Sequence, residues 1–304
     1  MRIPLDMFAQ AVRVGASAKH DSDAPIRVSV YLDESATPFL VETVRDAFVP
    51  QTTSALVRVE RIAAKPLEPR DDTDVALVIS CGSVRLQGAV QELLVAGAPV
   101  AVIAESSVEA PFIKADTPML GLIAATNKTY LLETLARWIL DRTEKDVAFA
   151  ANFPFMRIAA VNRIVTSCAL ANMATGALVF IPGADFPVMT AAQIGMALQL
   201  SSIFGYRLEL ERGYEVAAVI GAGLALRAVA RGVCRVLPHG GFIAKATIAA
   251  VGTYGMGRVL ASIYERGVDY SSINGAIKSL VARVRGAGAA GDGSPASVAV
   301  ASVR

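Results

Sequence analysis

The first half of the chain alternates short strand-like runs with amphipathic stretches, separated by compact loop signals. IRVSVYL, Ile26–Leu32, has the period-two alternation and β-branched content of a strand. ESATPFLVETVRDAFV reads as a helix with Pro38 in its first turn, where a missing N–H costs nothing. LVRVERI, Leu56–Ile62, predicts a second strand. VALVIS, Val75–Ser80, and PVAVIA, Pro99–Ala104, are continuous apolar runs of the kind that strands buried on both faces show. Between them Val84–Gly97 predicts a helix ending at glycine. Met119–Ala125 is the last predicted strand, and Thr126 or Asn127 caps a helix over Thr129–Asp146. Alternating strands and helices with short links predict an α/β domain with a mostly parallel sheet, over residues 1–150. Ahead of it, Leu5–Val14 predicts a short amphipathic helix; its charges and lack of a cleavage site exclude a secretory signal.

The second half has a different pattern. Asn152–Phe155 breaks the alternation, and from Ile164 to Tyr206 the only charge is Asp185. The break at Gly183–Asp185 splits this run into two helices of similar length, a hairpin long and apolar enough to be a transmembrane candidate. Ser167, Ala171 and Thr175 form a ridge of small residues, as do Ala249, Thr253 and Gly257 on a later helix, Phe242–Gly267. Gln193 and Gln199 are polar points expected to face a partner helix. The apolar stretch Val216–Leu237 carries Arg227, Arg231 and Arg235 on one face. This stripe fits either anionic lipid headgroups or a solvated face balanced by Glu209, Glu211 and Glu215. Pro238–Gly241 is a turn. The fold class is therefore an α/β domain followed by an all-α domain of apolar helices, residues 151–285, with a Gly/Ala/Ser-rich tail at 286–304 expected to be disordered.

Composition narrows the function classes. Hydrophobic residues make up 54% of the 304 and charged residues 18%, and mean hydropathy is +0.48. A net charge of +2 gives no reason to expect a nucleic-acid partner. The cysteines, Cys81, Cys168 and Cys234, have no metal-ligand spacing, and the two histidines, His20 and His239, lie far apart. Reduced, buried thiols in a cytosol-facing protein are the preferred reading.

In a nucleotide-binding α/β domain, the first strand leads into a glycine-rich loop whose amides cradle phosphates. Here that loop reads YLDESATPFL, and no glycine occurs between Ala16 and Cys81. Asp33 and Glu34 place negative charge where a polyphosphate would lie. They could instead form a metal or phospho-acceptor site, with Asp71, Asp72 and Asp74 as partners. The preferred reading is a solvated loop with acids at a helix N-terminus, where the macrodipole favours them.

A set of spaced residues in the second half resembles the YcjF-like C-terminal domains. The pattern is Pro182 and Asp185, then Thr190, Gln193 and Met196, then Gly205, then Pro238 and Gly241, then Thr253 and Gly257. The similarity covers roughly residues 157–267. It implies a helical, membrane-associated domain, commonly fused to or partnered with Era-like or dynamin-like GTPases, with no catalytic residues to carry over. On that resemblance the first half looks like a Rossmann- or GTPase-like domain that has lost nucleotide binding: Ala104–Ser107 stands where Asn-Lys-x-Asp would be, and the phosphate loop is missing. The expected protein is non-enzymatic and cofactor-free. It is an adaptor at the cytoplasmic face of the membrane or, alternatively, a soluble cytoplasmic scaffold that self-associates. A metal-dependent enzyme using Asp33 and Glu34 is the third reading.

Overall fold

A computed structural model describes residues 20–63, 66–178, 185–206 and 241–266. The predicted N-terminal helix, Pro182, Arg227, Arg231, Arg235, Pro238, His239 and the tail lie outside the described residues.

Five parallel strands form one sheet: β1 (Ile26–Leu32), β2 (Ala55–Arg61), β3 (Val75–Ile79), β4 (Val100–Ala104) and β5 (Leu120–Ala124), in the order β2-β1-β3-β4-β5. β3 and β4 are buried at every residue, as their unbroken apolar runs require. The chain leaves β1 for β2 on one side, then crosses back to β3 on the other. This creates a topological switch point above the carboxyl ends of β1 and β3, the place where open α/β sheets hold their ligands.

Four helices belong to this half: α1 (Pro38–Ala47), α2 (Leu86–Val95), α3 (Lys128–Leu140) and α4 (Asp146–Asn152). Pro38 opens α1 in its first turn. Asn127 caps α3, its side-chain oxygen accepting from Tyr130 N–H at 3.0 Å. The helix predicted over Thr129–Asp146 stops at Leu140, and a separate helix begins at Asp146. Arg142 folds back over the Trp138 ring at 4.3 Å and donates to Trp138 O and Thr117 O while pairing with Asp116. Those tertiary bonds satisfy the last turn and turn the chain before α4 begins.

α5 (Arg157–Leu178), α6 (Asp185–Ile203) and α7 (Gly241–Arg266) make up the described part of the second half. Asp185 and Gly241, both expected at turns, stand at the first positions of α6 and α7. The described helices join the α/β half through one continuous apolar core. It runs from Val30, Leu77 and Ile103 on one sheet face, through Leu135 and Phe149, to Val161, Val165, Leu200 and Tyr264. Phe48 reinforces the junction, with ring centroids 5.0 Å from Phe153 and 5.1 Å from Phe155. The other sheet face has its own core, Tyr31, Val78 and Val102 against Leu86, Val90 and Leu93 of α2.

The two small-residue ridges behave differently. Ala249, Thr253 and Gly257 are buried, and a Cβ on Gly257 would lie 2.7 Å from a Val165 methyl and 2.9 Å from the Met196 sulfur. Helix approach there requires glycine. Ser167 and Ala171 are exposed, and Thr175 bonds its hydroxyl to Ala171 O at 2.9 Å. The packing face of α5 is instead Val161, Ile164, Val165, Ala169 and Asn172. Ser167 sits two residues from Val165, about 200° round the helix. No described helix is long and apolar enough to cross a membrane.

Candidate functional site

At the switch point, the residue after β1 is Asp33, whose backbone N–H bonds Ile79 O at 3.0 Å. The residue is 6% exposed. One oxygen accepts the hydroxyls of Ser35 and Ser80, both at 2.6 Å. Those two hydroxyl oxygens lie 3.1 Å apart. Ser35 Oγ in turn accepts from Cys81 N–H at 2.9 Å, and Ser80 Oγ from Gly82 N–H at 3.2 Å. Burial pushes the Asp33 carboxyl up. The opposing hydrogen bonds of Ser35 and Ser80, with Ser83 and the Glu34 backbone, outweigh it and leave the group below its ordinary value. Ser83 contributes by proximity, because its buried hydroxyl makes no hydrogen bond of standard geometry.

The end of β4 is closed in the same manner. Glu109 Oε2 accepts from the amides of Glu105 at 3.0 Å and Ser106 at 3.3 Å, completing a capping box on the turn Ser107–Glu109. Thr37 donates its hydroxyl to Glu105 at 2.6 Å. Gly82 adopts φ +92°, and a Cβ there would sit 3.0 Å from Glu109 O, so the β3 and β4 loops meet closely. Burial pushes the Cys81 thiol up, against the character of a nucleophile. The backbone donors at the ends of β3 and β4, which could cradle a phosphate, are thus engaged by serines and a glutamate of the chain itself.

Asp33 does not meet its proposed partners. Asp74 immediately precedes β3, exchanging bonds with the Arg27 backbone and pairing with Lys145 at 2.7 Å. Asp72 holds Arg58 through contacts of 2.6 and 2.8 Å. Both lie at the amino ends of the strands. Asp74 bonds the Arg27 backbone, six residues before Asp33 along the same strand, so about 20 Å separates the two ends. Glu34 and Asp71 are exposed. Among the described residues, no group of three His, Cys, Asp or Glu is placed to hold a metal.

No protein-family model, curated protein or solved structure matches this chain. Its site is read from its own geometry.

A cavity of about 520 Å³ opens where the segment before β1, the start of α4, α5 and α6 meet. Its lining includes Asp21, Glu144, Arg163, Cys168, Met196 and Gln199. Arg163 ties the end of α3 to the start of α4, bonding Asp141 at 2.9 Å and Asp146 at 3.0 Å. Burial pushes the Asp146 carboxyl up despite Arg163 beside it. Burial pushes the Cys168 thiol up to about 11. Sequence reasoning placed Gln199 toward a partner helix and missed the cavity, because its walls come from four separate segments.

Gln193 lies where the spacing put it, facing other helices. Gln193 Nε2 and Asn172 Nδ2 both donate to Thr253 Oγ1, at 3.0 and 2.9 Å. All three side chains are buried, so one polar cluster fixes the register of α5, α6 and α7 in an otherwise apolar interface. Thr190, Gln193 and Met196 all fall on the buried face of α6.

Proposed function

We propose that this chain is a non-catalytic adaptor or regulatory protein that acts by binding another protein. One observation carries the reading. At the switch point, the amides that end β3 and β4 are bonded to Ser35, Ser80 and Glu109, and both serines to the buried carboxylate of Asp33. A polyphosphate would have to displace Asp33 and Glu109 from their donors and lie against their charge. The resemblance of the second half makes a GTPase the class of partner, and the degenerate α/β half its companion. Calorimetric titration with GTP or GDP and Mg²⁺ tests this: no saturable heat is expected, and binding at micromolar affinity overturns it.

Association with the cytoplasmic face of a membrane is the second reading. It is favoured by Leu170, Val251 and Val259 of α5 and α7, which are 55, 66 and 58% exposed. Recovery of the chain in the supernatant after lysis without detergent would remove it.

A further inference from the structure

β2 is an outer strand of the sheet. On its inner side, Ile26 N–H reaches Ser54 O at 3.1 Å and Ile62 N–H reaches Leu32 O at 2.8 Å. Backbone groups alternate in direction from one strand residue to the next. Leu56, Arg58 and Glu60 therefore point their amides and carbonyls at β1. Val57, Val59 and Arg61 point theirs outward, and among the described residues nothing accepts or donates to them. Val59 is 61% exposed and Leu56 44%. The strand carries no proline, and its charged residues Arg58, Glu60 and Arg61 repel arbitrary strands, so a partner must match them in sign.

We propose that the occupant of this edge is a second copy of the chain, its β2 antiparallel to the first about a two-fold axis at Val59. A two-fold pairing brings each strand against itself, so the residue on the axis fixes every pair. An axis at Arg58, Glu60 or Arg61 sets like charges directly opposite, which destabilises a sheet. An axis at Val57 puts Leu56 opposite Arg58 and matches no charge. An axis at Val59 satisfies every requirement. Val59 points outward, so it exchanges both hydrogen bonds with Val59 of the second copy, and Val57 does the same with Arg61. Arg58 then falls opposite Glu60, and Glu60 opposite Arg58, in the non-hydrogen-bonded pairs whose Cα atoms approach to about 4.5 Å. Arg58 is already oriented by Asp72, so Glu60 of the second copy joins an existing ion pair. The two sheets become one, and neither copy keeps this edge open.

Edge pairing buries less than a standard interface, so the dimer is weak and must be followed across concentration. Sedimentation of the full chain from about 1 to 100 µM is expected to show a monomer–dimer equilibrium. Val59→Pro keeps the β1–β2 ladder, because the lost N–H faces out. Circular dichroism should remain that of the wild type, while dimerisation weakens by about tenfold or more. Glu60→Arg, which faces Arg58 of the second copy, weakens it likewise, whereas Glu60→Asp, which keeps the charge, does so far less. A wild-type chain that stays monomeric throughout overturns the proposal. So does a dimer indifferent to Val59→Pro and Glu60→Arg. A folded Glu60→Arg chain that dimerises as tightly as the wild type, beside a monomeric Val59→Pro chain, overturns the register at Val59.

Discussion

The two halves of this molecule solve the same problem, placing polar groups inside an apolar body, in different ways. In the α/β half, polar side chains gather at the carboxyl edge of the sheet, where Asp33 draws on hydroxyls from the loops after β1 and β3. Among the described helices, a cluster of Asn172, Gln193 and Thr253 sits between α5, α6 and α7. The first arrangement closes a place where ligands normally bind. The second sets helix register among surfaces that are apolar on several sides. The lesson is that donors at the carboxyl edge of a sheet can be satisfied by the chain's own side chains, without filling the space with bulk.

The largest expected effect is steric and lies in the helical half. Gly257→Val drives methyls into Val165 and Met196 and should cost about 3 kcal/mol in urea unfolding. Gly255 is exposed and has open space around its Cα. Gly255→Ala should therefore stabilise α7 by about 1 kcal/mol through helix propensity. Opposite signs two residues apart would confirm which face of α7 is closed, and equal signs would refute it.

Asp33→Ala comes next, in the α/β half. It strands two hydroxyls that now bond a buried carboxylate and should cost about 2–3 kcal/mol. Thr253→Val, its counterpart among the helices, leaves the amides of Asn172 and Gln193 without their shared acceptor and should cost about 2 kcal/mol. If the Thr253 variant is as stable as the wild type, the cluster does not set the register.

The smallest effect is in pH dependence, and the two acids respond with opposite sign. Asp33 is lowered on folding, so its contribution is complete above the unfolded value, about 3.9, and is lost as pH falls below it. Asp146 is raised, so the folded state holds its proton longer and stability declines as pH climbs above that same value. In acid titrations followed by circular dichroism, Asp33→Asn should flatten the loss below this point. Asp146→Asn should flatten the decline above it.

Much of the α/β half was legible because its strands are continuous apolar runs of the right length. β1 falls on Ile26–Leu32 as its alternation predicted, and the other strands lie within a residue or so of their runs. The stop of α3 at Leu140 was not legible, since it depends on Arg142 reaching Thr117 and Asp116 across the sheet edge. In the described part of the second half, α7 lies within a residue of its predicted run, α5 begins seven residues before Ile164, and packing faces could not be read. Small residues suit close approach on any side, so the ridge at Ser167 and Ala171 looked equivalent to the ridge at Ala249 and Gly257 until their neighbours were known. At the switch point, the missing glycines were plain in the sequence. That Ser80 would bond Asp33 was not, because only the pairing of β1 with β3 brings the two together.

Amide hydrogen exchange at Cys81, Gly82, Glu105 and Ser106, measured by NMR with and without Mg²⁺-GTP, tests the central claim most directly. These amides are expected to be protected in the free protein and unchanged by nucleotide. Rapid exchange in the free protein, slowed when nucleotide is added, would contradict it and show a phosphate site still open.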